Sequence, residues 1–418
     1  MDNAYRDMTE LHAMKIGFLW KFRSSAVDQP NHLPASLAEL DQRIYRHLDG
    51  LLLQAELAWD ICEKTLKFAQ PEETFTAALL AFTCGNTEKT AQAVKAGFMN
   101  ANTFNALVSA LEWLPESRGL KWIEPGLSSD DLDYNLLAIS VCRLLGHDPG
   151  EPLTQLIKRS ADQQQHFLLI QCLRLAGELK RTDLKADCQK ATTADNTDLR
   201  FWGIWSSVLL GERDQALALE PYTQHTNPWQ QKAIQLAFRV IPDNTADTWI
   251  DPLLHHPDPL QQRCGIKAIA ANGRPQRMPD VITAMKNDTL ARVAGEAFTL
   301  LTGSDIKQQQ LTRPTPIRKW KLDNLDDSEL DIELEDSKLP WPDADKTTTR
   351  WQQHSTDLET ESRYFMGKGF KAPTITGHLN HIIASGYQRQ RHAAALELAL
   401  LEPTHPLVNT RAPSQETQ

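Results

Sequence analysis

Eight residues that stop helices recur along the chain at an almost constant interval. The apolar runs FTAALLAFTCG, FNALVSALEWLP, YNLLAISVCRLLG, HFLLIQCLRLAG, RFWGIWSSVLLG, QKAIQLAFRVIP, RCGIKAIAANG and VAGEAFTLLTG end at Gly85, Pro115, Gly146, Gly177, Gly211, Pro242, Gly273 and Gly303. Their spacings are 30, 31, 31, 34, 31, 31 and 30 residues. Glycine just past a helix end accepts the left-handed backbone found there, and proline cannot continue a helix. Each interval also holds a second segment, such as EPLTQLIKRS or MPDVITAMKN, often opened by a proline (Pro152, Pro252, Pro279). Two helices repeated in so short a period are the pattern of a stacked helical-repeat protein. The expected fold is therefore all-α, an α-solenoid of about eight helix pairs with a period of about 31 residues.

Eight positions before the stops stand Ala77, Ala138, Gly203, Gly265 and Gly295, with Leu107, Leu169 and Ile234 as exceptions. Glycine inside a helix costs about 1 kcal/mol relative to alanine. A small residue at one phase of the repeat points to close approach of a neighbouring helix. The stretch around Gly295 lacks the GxxxxGK[ST] pattern of a phosphate-binding loop, so Gly295 reads as structural. In fold, the repeats are similar to short HEAT-type repeats.

The repeats occupy residues 71–312 and have other material on both sides. Residues 1–70 read as two or three helices that cap the stack, whose open end otherwise exposes an apolar face. Residues 313–376 form an insertion, basic in RPTPIRKWKL and then acidic. The tract 323–345 holds ten acids against one base, a local charge of −9 out of the chain's −10, which leaves −1 for the other 395 residues. Within it ELDIELED alternates apolar and acidic residues, the period of a half-buried strand, so a short extended or β-like arm is expected there. Residues 377–402, with GYQRQRHAAALELALLEP, read as a closing helix and 403–418 as a flexible tail.

A nearly neutral body lacks the basic excess that draws nucleic acid. No apolar run is long enough for a transmembrane helix, so no membrane insertion is expected. Six cysteines without a CxxC pair read as free thiols of a reducing compartment, and the expected location is cytoplasmic. HExxH and GxSxG are absent, and MGKGF lacks the rest of a phosphate loop. His255 and His256 are adjacent and cannot share a helix face. No catalytic, cofactor-binding or metal-ligating residue is expected, and hence no enzyme. Partner-binding candidates are of two kinds. Arg143, Arg174 and Arg239 each lie three residues before a stop and line up either as a receptor for an acidic partner or as a salt-bridged helix edge. Asp331, Glu333 and Glu335 lie on the acidic arm, and Trp341 between two prolines presents a large aromatic to the chain's own body or to a partner.

The blocks FLWKFR, SLAELDQRIYRHLDGLLLQAELAWDICE, VAGEAFTLLTG, LPWPDADK, RYFMGKG and GYQRQRHAAALELALLEPTHPL occur in this order. Together they resemble a bacterial family of HEAT-repeat proteins encoded in type VI secretion gene neighbourhoods, over nearly the whole chain. The resemblance implies a cytoplasmic accessory to secreted effectors or spike components and carries no catalytic residues. The expected function is a non-enzymatic scaffold that binds protein, an adaptor or chaperone for an effector or spike-tip protein. An immunity-type inhibitor of a toxin is the alternative within that class. The alternative from another class is a HEAT-like enzyme or nucleic-acid binder with a site built across several repeats.

Overall fold

The structure is a computed structural model and describes residues 2–316, 332, 335–356, 358–359 and 361–414. The described residues are all-α except for one two-stranded hairpin and one isolated bridge. They divide into two compact units. Met1–Asp28, His32–Asp187 and Val408–Gln418 belong to the first, and Gln29–Asn31 with Cys188–Leu407 to the second. No helix is long and apolar enough to cross a membrane among the described residues.

The first unit opens with α1 (Asp2–Ala26), α2 (Pro34–Leu52) and α3 (Ala55–Leu66). Then come α4 (Pro71–Cys84), α5 (Thr87–Gly97), α6 (Ala101–Glu112) and α7 (Glu116–Leu127). Next are α8 (Leu132–Leu145), α9 (Glu151–Asp162) and α10 (His166–Glu178). The even-numbered helices α4, α6, α8 and α10 form a row in which each touches the next. Each is also packed against the odd-numbered helix before it, and α1 rests on α2, α3 and α4. Polar side chains set where the helices begin: Asn86, Asn100 and Asp131 accept first-turn backbone N–H groups.

The second unit has a row of its own, built the same way. Short α11 (Lys185–Ala191), which straddles the division, leads to α12 (Thr197–Leu209), α13 (Glu220–Gln224) and α14 (Gln230–Val240). After them stand α15 (Asp243–Leu254), α16 (Pro259–Asn272), α17 (Met278–Ala284) and α18 (Asp288–Thr302). Here α14 touches α16 and α16 touches α18, with α13, α15 and α17 behind them. The remaining helices are α19 (Ala344–Ser355), α20 (Ile375–Ser385) and α21 (Gln388–Leu401). The segment expected to hold one closing helix thus holds most of two, which pack on each other around Leu379 and Leu398.

Several stops act as expected. Gly85, Gly146, Gly273 and Gly303 are left-handed C-caps. Gly177 differs: it is buried inside the last turn of α10, and Lys180, at φ +62°, takes the left-handed position. Pro252 differs too, lying near the end of α15, whose N-cap is Pro242. A proline there removes the intrahelical hydrogen bond that a backbone N–H at 252 would give to the Thr248 carbonyl.

The small residues at the repeat phase mark helix crossings. A methyl group on Gly203 comes within 2.7 Å of Ala191, and one on Gly265 within 2.9 Å of Leu254. At Leu107 the roles are exchanged, for the preceding helix supplies Gly97, on which a methyl group collides with the leucine. Gly295 breaks the rule. A methyl group there meets Pro342 of the insertion first, at 3.3 Å, and not a neighbouring helix.

The described residues of the alternating stretch are helical, which corrects the expected strand. Ile332, Glu335 and Asp336 lie in helical backbone, and Ile332 and Asp336, four apart, are both buried. Over so few residues a helix face satisfies the same apolar positions as an alternating strand. The strands lie instead in RYFMGKG, as β1 (Tyr364–Phe365) and β2 (Lys368–Gly369), with Tyr364 opposite Gly369. Residues 408–414, expected as part of a flexible tail, are held to the first unit. Arg23 donates to the carbonyls of Arg411 (2.6 Å) and Ala412 (2.9 Å), and Ser414 N donates to Asp41 at 2.8 Å.

Candidate functional site

Arg263 and Lys267 stand four apart on α16, so they share one helix face. Arg263 is among the most deeply buried large side chains of the chain. A buried guanidinium is tolerable only with carboxylate partners that also satisfy its donors. Those partners come from the insertion. Asp336 receives both terminal nitrogens of Arg263, at 2.5 and 2.7 Å, the two-pronged geometry that guanidinium and carboxylate planes favour. Glu335 takes a further bond from Arg263 at 2.8 Å and is paired with Lys267. From α21, Arg389 donates to the Glu335 carbonyl at 2.8 Å while its other arm pairs with Glu296 at 3.0 Å. Burial raises the Glu335 carboxyl, but Lys267 and Arg263 outweigh it and hold the group down at about 2. Burial likewise opposes the charge on Arg263, yet Asp336 and Glu335 bring it above the ordinary arginine range.

Downstream, the same segment is fixed by Trp341. The guanidinium groups of Arg292 and Arg313 lie 4.7 and 5.3 Å from its ring centre, the arrangement of a cation over an aromatic face. Arg313 N donates to the Trp341 carbonyl at 3.0 Å and Asp343 N to the Leu311 carbonyl at 2.8 Å, around the bridge from Thr312 to Pro342. Pro342 then fills the space left by Gly295. The stretch 335–343 is therefore an acidic, extended-to-helical strap laid across α16 and α18.

The hairpin closes the ends of the same two helices. Helix C-termini leave carbonyls without partners. Tyr364 N donates to the Gly273 carbonyl, and Met366 N and Gly367 N to those of Leu300 and Leu301. Arg363 donates to the carbonyls of Asn272 (2.8 Å) and Ala271 (3.0 Å) and pairs with Glu397 at 2.8 Å.

Each of the three arginines read from the repeat phase stands beside a carboxylate of its own unit, the salt-bridged arrangement that is one of the two alternatives. Arg174 pairs with Glu178 at 2.6 Å, and Arg143 stands 4.0 Å from the same carboxylate, both in the first unit. Arg239, in the second, is buried against Glu397 at 3.0 Å. Burial, with Arg174 beside it, pushes Arg143 down to about 10, and burial pushes Arg239 to the same range against the pull of Glu397. Asp331 and Glu333 lie outside the described residues, whereas Glu335 and Trp341 are both in the strap. Arg263, Lys267, Asp336 and Arg389 escaped the sequence reading. The available signal was a pair of bases four apart in the otherwise apolar RCGIKAIAANG, which needs acids from elsewhere in the chain.

Among the described residues no group of three or more His, Cys, Asp or Glu is arranged to hold a metal ion. His255 bonds the Asp251 carbonyl and His256 accepts from Asp258 N, both within their own turn. No disulfide joins the six cysteines, of which Cys84 is exposed and the others buried.

Neither a family model nor a curated protein matches the chain. Among solved structures, the crystal structure of an engineered protein from the Northeast Structural Genomics Consortium is 12% identical, covers 82% of this chain and 99% of that chain, and has a TM-score of 0.33. A likeness of that degree carries no argument about fold or function.

Proposed function

We propose that the helix rows are short HEAT-type repeats of an α-solenoid and that the chain is a non-enzymatic scaffold that binds protein. Stacked helix pairs present long surfaces suited to extended segments. The observation that carries the reading is the strap: α16 and α21 already clasp an acidic segment, Glu335–Asp336, with three cationic side chains. A surface built to hold such a segment of its own chain has the chemistry to hold one from a partner. With the resemblance to the type VI secretion neighbourhood family, the partner proposed is an effector or a spike-tip protein, which this cytoplasmic chain serves as adaptor or chaperone.

The test is co-expression of the full chain with the effector and spike-tip proteins encoded beside it, followed by size-exclusion chromatography with mass determination. A stoichiometric complex with one of them supports the reading. Elution of the chain apart from every one of them contradicts it. Repeating the experiment with Glu335→Gln asks whether the strap competes with the partner, and tighter binding is expected if it does.

A further inference from the structure

Residues 409–414 form neither helix nor strand, yet three charged side chains of the first unit are bonded to them. Arg23 of α1 and Asp41 of α2, both buried, hold each other through Arg23 Nε and Asp41 Oδ1 at 2.8 Å. The outer nitrogens of Arg23 donate to the carbonyls of Arg411 and Ala412, at 2.6 and 2.9 Å. Asp41 accepts from Ser414 N at 2.8 Å and from Ser414 Oγ at 3.1 Å. Glu112, the last residue of α6, accepts from Asn409 Nδ2 at 2.9 Å, and the same amide donates to the Leu144 carbonyl at 2.9 Å. That carbonyl lies in the last turn of α8, where helix carbonyls lack partners within the helix. Asn409 also shapes the segment. Its Oδ1 accepts from Arg411 N at 3.1 Å and its carbonyl from Ala412 N at 3.4 Å, closing a turn at Thr410–Arg411. Thr410 and Pro413 are buried, whereas Arg411 and Ala412 are exposed. The receiving groups are fixed by their own unit: Arg23 is held by Asp41 and stands 5.7 Å from the ring centre of Trp113. The segment in turn is held largely by polar bonds, whose exchange for bonds to water changes the net free energy little.

We infer that the first unit carries a peptide site, that the site takes a turn-forming segment of the form Asn-Thr-x-x-Pro-Ser, and that residues 409–414 occupy it as an intramolecular ligand. Each position follows from its contacts. An asparagine closes the turn with its oxygen and donates twice with its nitrogen. An aspartate still closes the turn but sets a third acceptor against Glu112 and the Leu144 carbonyl. The two x positions are read through their carbonyls, and the exposed ion pair of Arg411 with Asp28 adds little. Proline has no N–H and so leaves no donor unpaired at its buried position. Serine offers Asp41 two donors. A partner segment of this chemistry competes with the chain's own for the same groups. The inference rests neither on the strap nor on the partner proposed above.

A protease recognition sequence inserted after Thr404, in an exposed turn, lets the segment be cut from the otherwise full chain. After dialysis, fluorescence anisotropy with a labelled peptide of residues 408–418 reads the site. The cut chain is expected to bind the peptide with a Kd of about 1–100 μM. The uncut chain should bind it at least about 100-fold more weakly, because a tethered ligand competes at roughly millimolar effective concentration. A peptide carrying Asn409→Asp should lose at least about tenfold in affinity, and one carrying Arg411→Ala should stay within about threefold. A cut chain that keeps its helical circular dichroism but takes up no peptide overturns the inference. So does loss of that signal on cutting, which makes the segment part of the core. Equal binding by the uncut chain, or equal binding of the Asn409→Asp peptide, overturns it as well. A cut segment retained through dialysis supports the inference if excess labelled peptide replaces it, and overturns it if not.

Discussion

At Gly97 a side chain has no room, because Leu107 of α6 fills the crossing with α5. Gly97→Ala forces one of the two helices to shift and is expected to lower stability by about 1–3 kcal/mol in urea denaturation. Leu107→Ala alone leaves a cavity and costs about 2–5 kcal/mol. The double variant should lose at least about 1 kcal/mol less than the two single losses together, since the new methyl occupies part of the space. Gln164 makes the converse point. It is exposed and sits at φ +55° after α9, where an L residue is strained. Gln164→Gly should raise stability by about 0.5–1 kcal/mol in the same measurement. The small residues at 203 and 265 were legible in the sequence because the repeat phase singles them out. The exchange between Gly97 and Leu107 was not, because the phase marks one helix and the compensation lies on its neighbour. Gly177 misled for a related reason: packing at its buried site holds it in the helix, and the turn falls to Lys180.

At the scale of elements, the strap depends on one buried ion pair. Arg263→Ala strands the Asp336 carboxylate in an apolar setting and should cost about 3–5 kcal/mol, whereas Asp336→Ala leaves Arg263 its bond to Glu335 and should cost less. Arg263→Met combined with Asp336→Leu removes both charges and should recover most of the Arg263→Ala loss, while Lys267 keeps its pairing with Glu335. Thermal denaturation of the three variants checks the order. The helices were visible from sequence because their signals are local: periodic apolar residues, caps and stops. The insertion was not, because its conformation is set by Arg263, some seventy residues earlier in the chain, and ELDIELED is too short for its alternation to decide between helix and strand. The hairpin in RYFMGKG was invisible for the same reason. Its pairing is only two residues deep and its main bonds go to the ends of α16 and α18.

For the molecule as a whole, two buried carboxylates respond to pH in opposite directions. Burial raises the Glu112 carboxyl from 4.5 to about 7, despite Arg23 nearby and a bond from Asn409 at 2.9 Å. The folded chain holds this proton more tightly than the unfolded one. Stability from this group is therefore full below about 4.5, falls as pH rises toward about 7 and stays low above it. Glu112→Gln should flatten that limb and stabilise the chain at pH 8 by about 1–3 kcal/mol. Glu335 sets the acid limb: its contribution is present above 4.5 and is lost as pH falls toward about 2. Melting temperature against pH in both backgrounds separates the two.

We propose that the helix rows are a binding surface for another protein. Hydrogen exchange of the full chain, with and without the effector or spike-tip protein that co-purifies with it, tests that most directly. Slowed exchange is expected in α14, α16 and α18, with a change at 335–343, where the partner meets or displaces the strap. Unchanged exchange throughout these helices and the strap, with protection confined to segments outside the rows, would contradict it.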